Sequence, residues 1–295
     1  MLSKDLIARI RKIEIRTRRM VDEITAGAYH SVFKGSGIEF DEVREYTHED
    51  DVRSIDWNVT AKMGHPYIKK YVEERELSVM FLVDCSASGY FGSGEKTKND
   101  IAIEIASLLA FSAIRNNDKV GLLLFSDKPE FYLPPKSGRQ HGLRLIRELV
   151  ARKPKQSGTN ISAALEKIVK ILNKKSVIFL ISDLIDENHE YNKILNVANK
   201  RHDIIAIRIL DPKEIEFPSI QGISLTDSES GVTGYFSGSK KAVESYSKTI
   251  TDFHSKNKEI CKKAKVDLID IRCDEDFVKP LMLFFRKREK LVQHS

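Results

Sequence analysis

The segment Val79-Met-Phe-Leu-Val-Asp84-Cys-Ser86-Ala-Ser88 constrains this chain more than any other ten residues. A short, unbroken apolar run reads as a strand buried on both faces, the condition of a central strand in a parallel sheet. Strands of an α/β sheet deliver their last residues to the crevice outside their carboxyl ends, where ligands bind. Here the run ends in a carboxylate, followed at once by two alternate hydroxyls. One charged oxygen and two neutral ones on a single tight loop suit a hard cation such as Mg²⁺.

Two later segments point the same way. Ser157-Gly158-Thr159-Asn160 opens a helical pattern over 161–172 and puts the Thr159 hydroxyl at a helix start. Val177-Ile-Phe-Leu-Ile-Ser182 is a second buried strand, and Asp183 follows it. Two parallel neighbours that each end in Asp bring both carboxylates to one rim. A lone Asp after an apolar strand is an ordinary cap or turn residue. The ordered set Asp84, Ser86, Ser88, Thr159 and Asp183 is what carries the cation reading. Cys85 points the other way along the loop and reads as a small buried hydrophobe.

The 295 residues suffice for one large domain or two modest ones. No apolar run is long enough to cross a membrane; the best candidate, 101–114, is short and contains Glu104. No secretory leader is visible. Cys85, Cys261 and Cys273 show neither ligand spacing nor a paired framework, so a reduced, cytoplasmic protein is expected. The net charge of +6 is concentrated at the two ends. Residues 1–20 hold seven basic residues against two acidic, and 286–290 hold four against one. The body is therefore close to neutral, which argues against a nucleic-acid surface spread over it.

Apolar residues at helical spacing (Leu6, Ile10, Ile13, Met20 or Val21, Ile24) predict one amphipathic helix within 1–29. Its basic outer face is a solvated helix face or, alternatively, a contact to a membrane surface or nucleic acid. Residues 30–76 read as a small β-rich module, packing with 213–238. In it Gly35-Ser-Gly37 is a turn, and Val52, Ile55, Trp57 and Val59 show partial alternation. His48-Glu49-Asp50-Asp51 is a solvated turn, because consecutive residues cannot all face one ion.

An α/β domain is expected over 77–285, less the insertion 213–238, with 286–295 as a basic tail. Within it, helices are predicted over 100–114, 139–151, 189–200 and 240–263, with a last one starting near Asp274. Strands are predicted over 120–125, 203–210 and 266–271. Phe131-Tyr-Leu-Pro-Pro is a short edge strand that its prolines terminate, and residues 227–231 are a hairpin turn. Strands alternating with helices imply a doubly wound, mostly parallel sheet.

Two near-matches are weaker. Gly89-Tyr-Phe-Gly-Ser-Gly94-Glu95-Lys96-Thr97 approaches a phosphate-binding loop, but Glu95 stands where Lys is needed, so a mobile Gly/Ser loop is expected instead. An Asp ending the first strand, with Asp183 and Asp186 later, also suits a Mg²⁺-dependent phosphohydrolase of the haloacid-dehalogenase type. That chemistry needs a second Asp as general acid two residues on, where this chain has Ser86. No Ser–His–Asp set is visible.

The order Asp84-x-Ser86-x-Ser88, Thr159, Asp183 resembles the metal-ion-dependent adhesion site of von Willebrand factor A domains. In that family the hydroxyls ligate Mg²⁺ (or Mn²⁺) directly and the Asp residues often act through water. The open position takes a carboxylate from a partner protein. Gly89 stands where many A domains have Met, outside the ligand set.

Further likeness lies in Gly35-Ser-Gly-Ile-Glu-Phe-Asp-Glu-Val-Arg-Glu-Tyr46, in Asp50-Asp51-Val-Arg-Ser-Ile-Asp-Trp57 and in Glu73-Glu-Arg-Glu-Leu77. Over residues 25–275 the chain resembles a bacterial family of uncharacterised proteins with a von Willebrand A-like domain, whose genes commonly neighbour those of MoxR-type AAA+ ATPases. The resemblance implies a non-enzymatic adaptor for such an ATPase, acting in protein maturation or stress response. It also leaves peripheral membrane contact through residues 1–20 open.

Overall fold

The computed structural model describes residues 4–24, 38–48, 50–73, 77–152, 154, 157–186, 190–215, 222–229 and 231–293. Two compact units emerge, Phe33–Leu77 and the remainder, Met1–Val32 with Ser78–Ser295. In chain order, helix α1 (Lys4–Ile24) comes first; β1 (Ile38–Glu45), α2 (Trp57–Met63) and β2 (Tyr67–Glu73) follow in the smaller unit. The larger unit continues with β3 (Ser78–Asp84), α3 (Lys98–Arg115), β4 (Lys119–Phe125), β5 (Pro129–Lys136), α4 (Arg139–Ala151), α5 (Ile161–Ile171) and β6 (Val177–Ser182). After these come α6 (Asn192–Arg201), β7 (Asp203–Leu210), α7 (Pro212–Ile215), β8 (Ile223–Thr226), β9 (Thr233–Phe236), α8 (Lys240–Lys263), β10 (Asp267–Arg272) and α9 (Val278–Gln293).

The larger unit is a mixed α/β fold on a six-stranded sheet of order β10-β7-β6-β3-β4-β5. Every neighbouring pair is parallel except β4–β5 at one edge. The apolar runs are central, as both-face burial requires: β6 is buried along its whole length, and β3 from Val79 onward. Side chains alternate across the sheet. Met80, Leu82, Ile178 and Leu180 meet α5, α6 and the end of α8 in one core layer. On the other face Phe81 stacks on Phe179, with ring centroids 5.6 Å apart, and α3 crosses β3, β4, β6 and β7.

Several sequence expectations change. Trp57–Met63, read as part of a β-like alternation, is helical. The Asp56 side chain accepts from the amides of Asn58 and Val59 and so starts the helix, and Gly64, at φ +79°, ends it. The smaller unit is thus one antiparallel β1–β2 pair with a helix between its strands. The turn at Gly35–Gly37 lies outside the described residues. β5 does not stop at its prolines but runs through Pro134 and Pro135 to Lys136, which an edge strand tolerates because one side needs no N–H donors. The helix expected from 189 begins at Asn192, and the last helix begins at Val278, after a turn, rather than near Asp274. The basic residues 286–290, expected as a tail, continue α9, where Arg288 donates to both Asp203 oxygens at 2.6 and 2.7 Å. Residues 227–232 connect β8 and β9 as a hairpin, as expected.

Candidate metal centre

Strand order reverses beside β3. The chain passes from β3 through α3 to β4 on one side, and β6 is later laid down on the other. The switch point therefore lies between β3 and β6, where an open α/β sheet leaves its ligand crevice. Asp84 is the last residue of β3, and Asp183 directly follows β6. Asp84, Ser86, Ser88 and Asp183 line one cavity of about 20 Å³, together with Ser182 and Lys98. That volume has room for one water or one ion.

Local hydrogen bonds fix the donors. The Ser86 amide donates to Asp84 Oδ1 at 2.9 Å, and Ser182 Oγ to Oδ2 at 2.7 Å. The Ser86 and Ser88 hydroxyls lie 3.0 Å apart, so they face one point, as the alternate spacing predicts. The Ile185 amide donates to Asp183 Oδ1 at 3.0 Å. Burial, and next the Asp183 charge, push the Asp84 carboxyl above the ordinary carboxylate range, against the bonds from Ser182 and Ser86. Two buried acids side by side are a place where added positive charge is favourable. Hydroxyl and carboxylate oxygens around a one-ion cavity fit Mg²⁺ or Mn²⁺. Among the described residues no three His, Cys, Asp or Glu side chains gather on one point. The donor set here is two carboxylates with hydroxyls.

Lys98, which the sequence reading missed, supplies the resident positive charge. It is 3% exposed and donates to Asp183 Oδ2 at 2.8 Å and to Glu214 Oε1 at 2.7 Å. Burial works against its charge, but the two carboxylates more than offset that and hold the ammonium above its ordinary range. With one Asp183 oxygen on Lys98 and the other on the Ile185 amide, Asp183 would reach an ion through water.

The loop before Lys98, expected to be mobile, is held at several points. Ser93 donates through its amide and hydroxyl to the two Asp211 oxygens at 2.8 and 2.6 Å, and Thr97 with Asp100 forms a capping box on α3. A Cβ on Gly92 would meet Lys96 O at 2.6 Å, so this tight turn requires glycine. Asp186, considered as part of a late acidic pair, accepts from the Ile161 amide at 2.9 Å and so caps α5 instead of facing the cavity. Cys85 is buried and donates to Phe125 O at 3.1 Å; burial pushes its thiol far up, an inert group as expected.

Thr159 stands apart from the other four. Asn160, not Thr159, caps α5. The 157–160 loop reaches the rim through the Ala87 amide, which donates to Ser157 O, and the Asn160 amide, which donates to Ser126 O, both at 2.9 Å. Asp127 crowds Gly158, where a Cβ would lie 2.2 Å from a carboxylate oxygen. Thr159 is buried, but its hydroxyl donates to Glu229 Oε1 at 2.8 Å, and Ser157 Oγ donates to the Glu229 carbonyl at 2.7 Å. Glu229 sits in the β8–β9 turn. Burial raises its carboxyl, the Thr159 bond lowers it, and the charges of Asp183, Asp227 and Asp127 raise it further.

A sequence profile for the family described as "Protein of unknown function DUF58" matches residues 42–256. Uncharacterized proteins of Mycobacterium bovis and of Mycobacterium tuberculosis are each 26% identical over 294 residues, covering 98% of this chain and 92% of theirs. Among solved structures, an aerotolerance-related membrane protein from Bacteroides fragilis aligns with a TM-score of 0.52 at 16% identity, over 73% of this chain and 99% of that one. A conserved hypothetical protein, BatB, from Bacteroides thetaiotaomicron aligns at 0.49 and 16% identity, over 72% and 99%. At such identity the likeness concerns the fold alone.

Proposed function

The chain belongs to the DUF58 family of proteins of unknown function, and from that premise we propose that it is a non-enzymatic adaptor built on a von Willebrand A-like domain. Its rim captures a partner's carboxylate with the help of Mg²⁺ or Mn²⁺. The observation that carries this reading is the one-ion cavity at the sheet's switch point, lined by two carboxylates, three hydroxyls and the Lys98 ammonium. In this reading Ser86, Ser88 and Thr159 offer hydroxyl oxygens, while Asp84 and Asp183 supply charge, directly or through water. The ion supplies an open coordination position that attracts an acidic side chain. Specificity comes from the loops around it, since one charge contact in water is weak. The resemblance noted in the sequence makes a MoxR-type AAA+ ATPase the proposed partner and protein maturation or stress response the proposed setting.

Asp84→Ala should abolish Mg²⁺ binding in calorimetry while leaving the circular dichroism spectrum intact; equal affinity in both proteins would refute the site. In affinity purification from the native cell, an ATPase should be recovered with wild type only, and lost with chelator. Equal recovery in all samples would keep the partner and refute the metal gate. Turnover of an aryl phosphate with Mg²⁺, lost in Asp84→Asn, would replace this reading with a hydrolase.

A further inference from the structure

Helix α9 is held to the sheet by one face. Phe277, Leu281 and Phe285 bury its inner side, and Arg288 pairs with Asp203 and Asp267. Its outer side carries Lys279, Leu283, Arg286, Lys287, Lys290 and Leu291, all exposed. Steps of three and four residues put these six on one helix face, about 18 Å long. Among the described residues Arg288 is the one basic residue of α9 with an ion pair. The helix holds a single acid, Glu289, at the edge of this face. Elsewhere the surface interleaves its signs, as on α8, where Lys263 pairs with Glu259 at 3.5 Å and Lys258 with Asp270 at 3.6 Å. Two leucines stand among the α9 cations, Leu283 at 64% and Leu291 at 61% exposure.

We infer that this face of α9 docks on an anionic lipid surface, with Leu283 and Leu291 entering the headgroup–acyl boundary and the four cations meeting lipid phosphates. Charge complementarity calls for an anion. The leucines select lipid, because an apolar side chain gains by leaving water at a bilayer boundary, whereas a nucleic acid backbone offers charge without an apolar layer. Long Lys and Arg stems can lie along the same boundary while their heads reach the phosphates. The surface does not depend on the ion reading of the rim. α9 begins one turn after the carboxyl end of β10, and its last turns reach the amino ends of β7 and β10, where Arg288 meets Asp203 and Asp267. The basic face thus runs toward the end of the sheet opposite the ion cavity, and docking leaves that cavity open.

The probe is the full chain with vesicles of phosphatidylcholine, alone or mixed with phosphatidylglycerol, read by co-flotation. Wild type should float with the mixed vesicles and not with phosphatidylcholine alone, and high salt should release it. Arg286→Gln with Lys287→Gln and Lys290→Gln should weaken binding roughly a hundredfold, from three cations at about fivefold each. Leu283→Ser should weaken it roughly tenfold. Neither variant should move the melting midpoint, since all four positions are exposed. With the chain's single tryptophan removed by Trp57→Phe, Leu283→Trp should shift its emission to the blue on the mixed vesicles. Arg11→Gln with Lys12→Gln should float like wild type; loss of flotation there would overturn the proposal and move the contact to α1. Failure of wild type to float, or equal flotation of wild type and every α9 variant, would overturn it outright. Release by the charge variant with Leu283→Ser unaffected would replace lipid with another polyanion.

Discussion

A buried ammonium forfeits several kcal/mol of hydration, and Lys98 keeps its charge because Asp183 and Glu214 stand 2.8 and 2.7 Å away. Removing it leaves Asp183 beside Asp84 with no countercharge. Lys98→Met should therefore cost the metal-free protein about 3–5 kcal/mol, the range for breaking a buried pair, measured by urea denaturation. Mg²⁺ should return part of that loss, because an ion bound only by the folded state stabilises it by mass action. A variant whose stability is the same with and without Mg²⁺ would show that its rim has no affinity for the ion. Asp84, Ser86, Ser88 and Asp183 were legible because strand ends converge wherever two parallel strands are neighbours. Lys98 and the Thr159–Glu229 contact were not, because the partners lie 85 and 70 residues apart in sequence, and nothing local marks a lysine for burial.

Elements buried on both faces were read well, since an apolar run needs no partner to be recognised; β3, β4, β6 and β7 are of this kind. Even so, β7 carries Arg208, 1% exposed, which donates to both Asp270 oxygens of β10 at 2.8 and 3.0 Å. The pairing of β7 with β10, together with the His254 carbonyl of α8 at 3.2 Å, makes that charge tolerable, and neither contact is written in the strand alone. Short elements fixed by polar caps were misread, as at α2, where one aspartate outweighs a β-like alternation. A related device holds the turn after β1. Asp50 accepts from Arg44 through both oxygens, at 2.5 and 2.9 Å, and from the Thr47 amide and hydroxyl. The Arg44 bond, then those from Thr47, hold its carboxyl down at about 2, against an ordinary 3.8. A depressed carboxylate stabilises the fold above the unfolded value and loses that contribution as pH falls through the folded one. Stability should thus decline between about pH 4 and pH 2, and Asp50→Asn should remove that part of the acid slope in pH-dependent melting. An unchanged slope would show that the turn opens before Asp50 titrates.

Across the whole molecule the most membrane-like stretch of sequence is 101–114, and it became α3, a helix with buried residues on every side, from Ile101 to Ala113. A helix apolar all round must be covered all round. The sheet covers one side of α3, and α1 and α4 lie against it as well. Ile13 and Thr17 of α1 are buried, while Arg9 pairs with Asp100 and Arg16 with Glu104 at 3.0 Å. Part of the basic face expected to be free for an acidic partner is therefore spent on α3. These pairs are half-exposed on the arginine side, so each contributes about 0–1 kcal/mol, whereas each buried aliphatic side chain contributes about 1.5–3 kcal/mol. The apolar cover should dominate. Deleting residues 1–24 should lower the thermal midpoint by several degrees and expose dye-binding apolar surface on α3, while Arg9→Gln with Arg16→Gln should leave the midpoint nearly unchanged. If the double substitution destabilises as much as the deletion, charge rather than burial holds α1. If the deletion melts like the full chain, α1 is no part of the stabilising core, and its remaining basic face should be tested for salt-sensitive retention on nucleic acid.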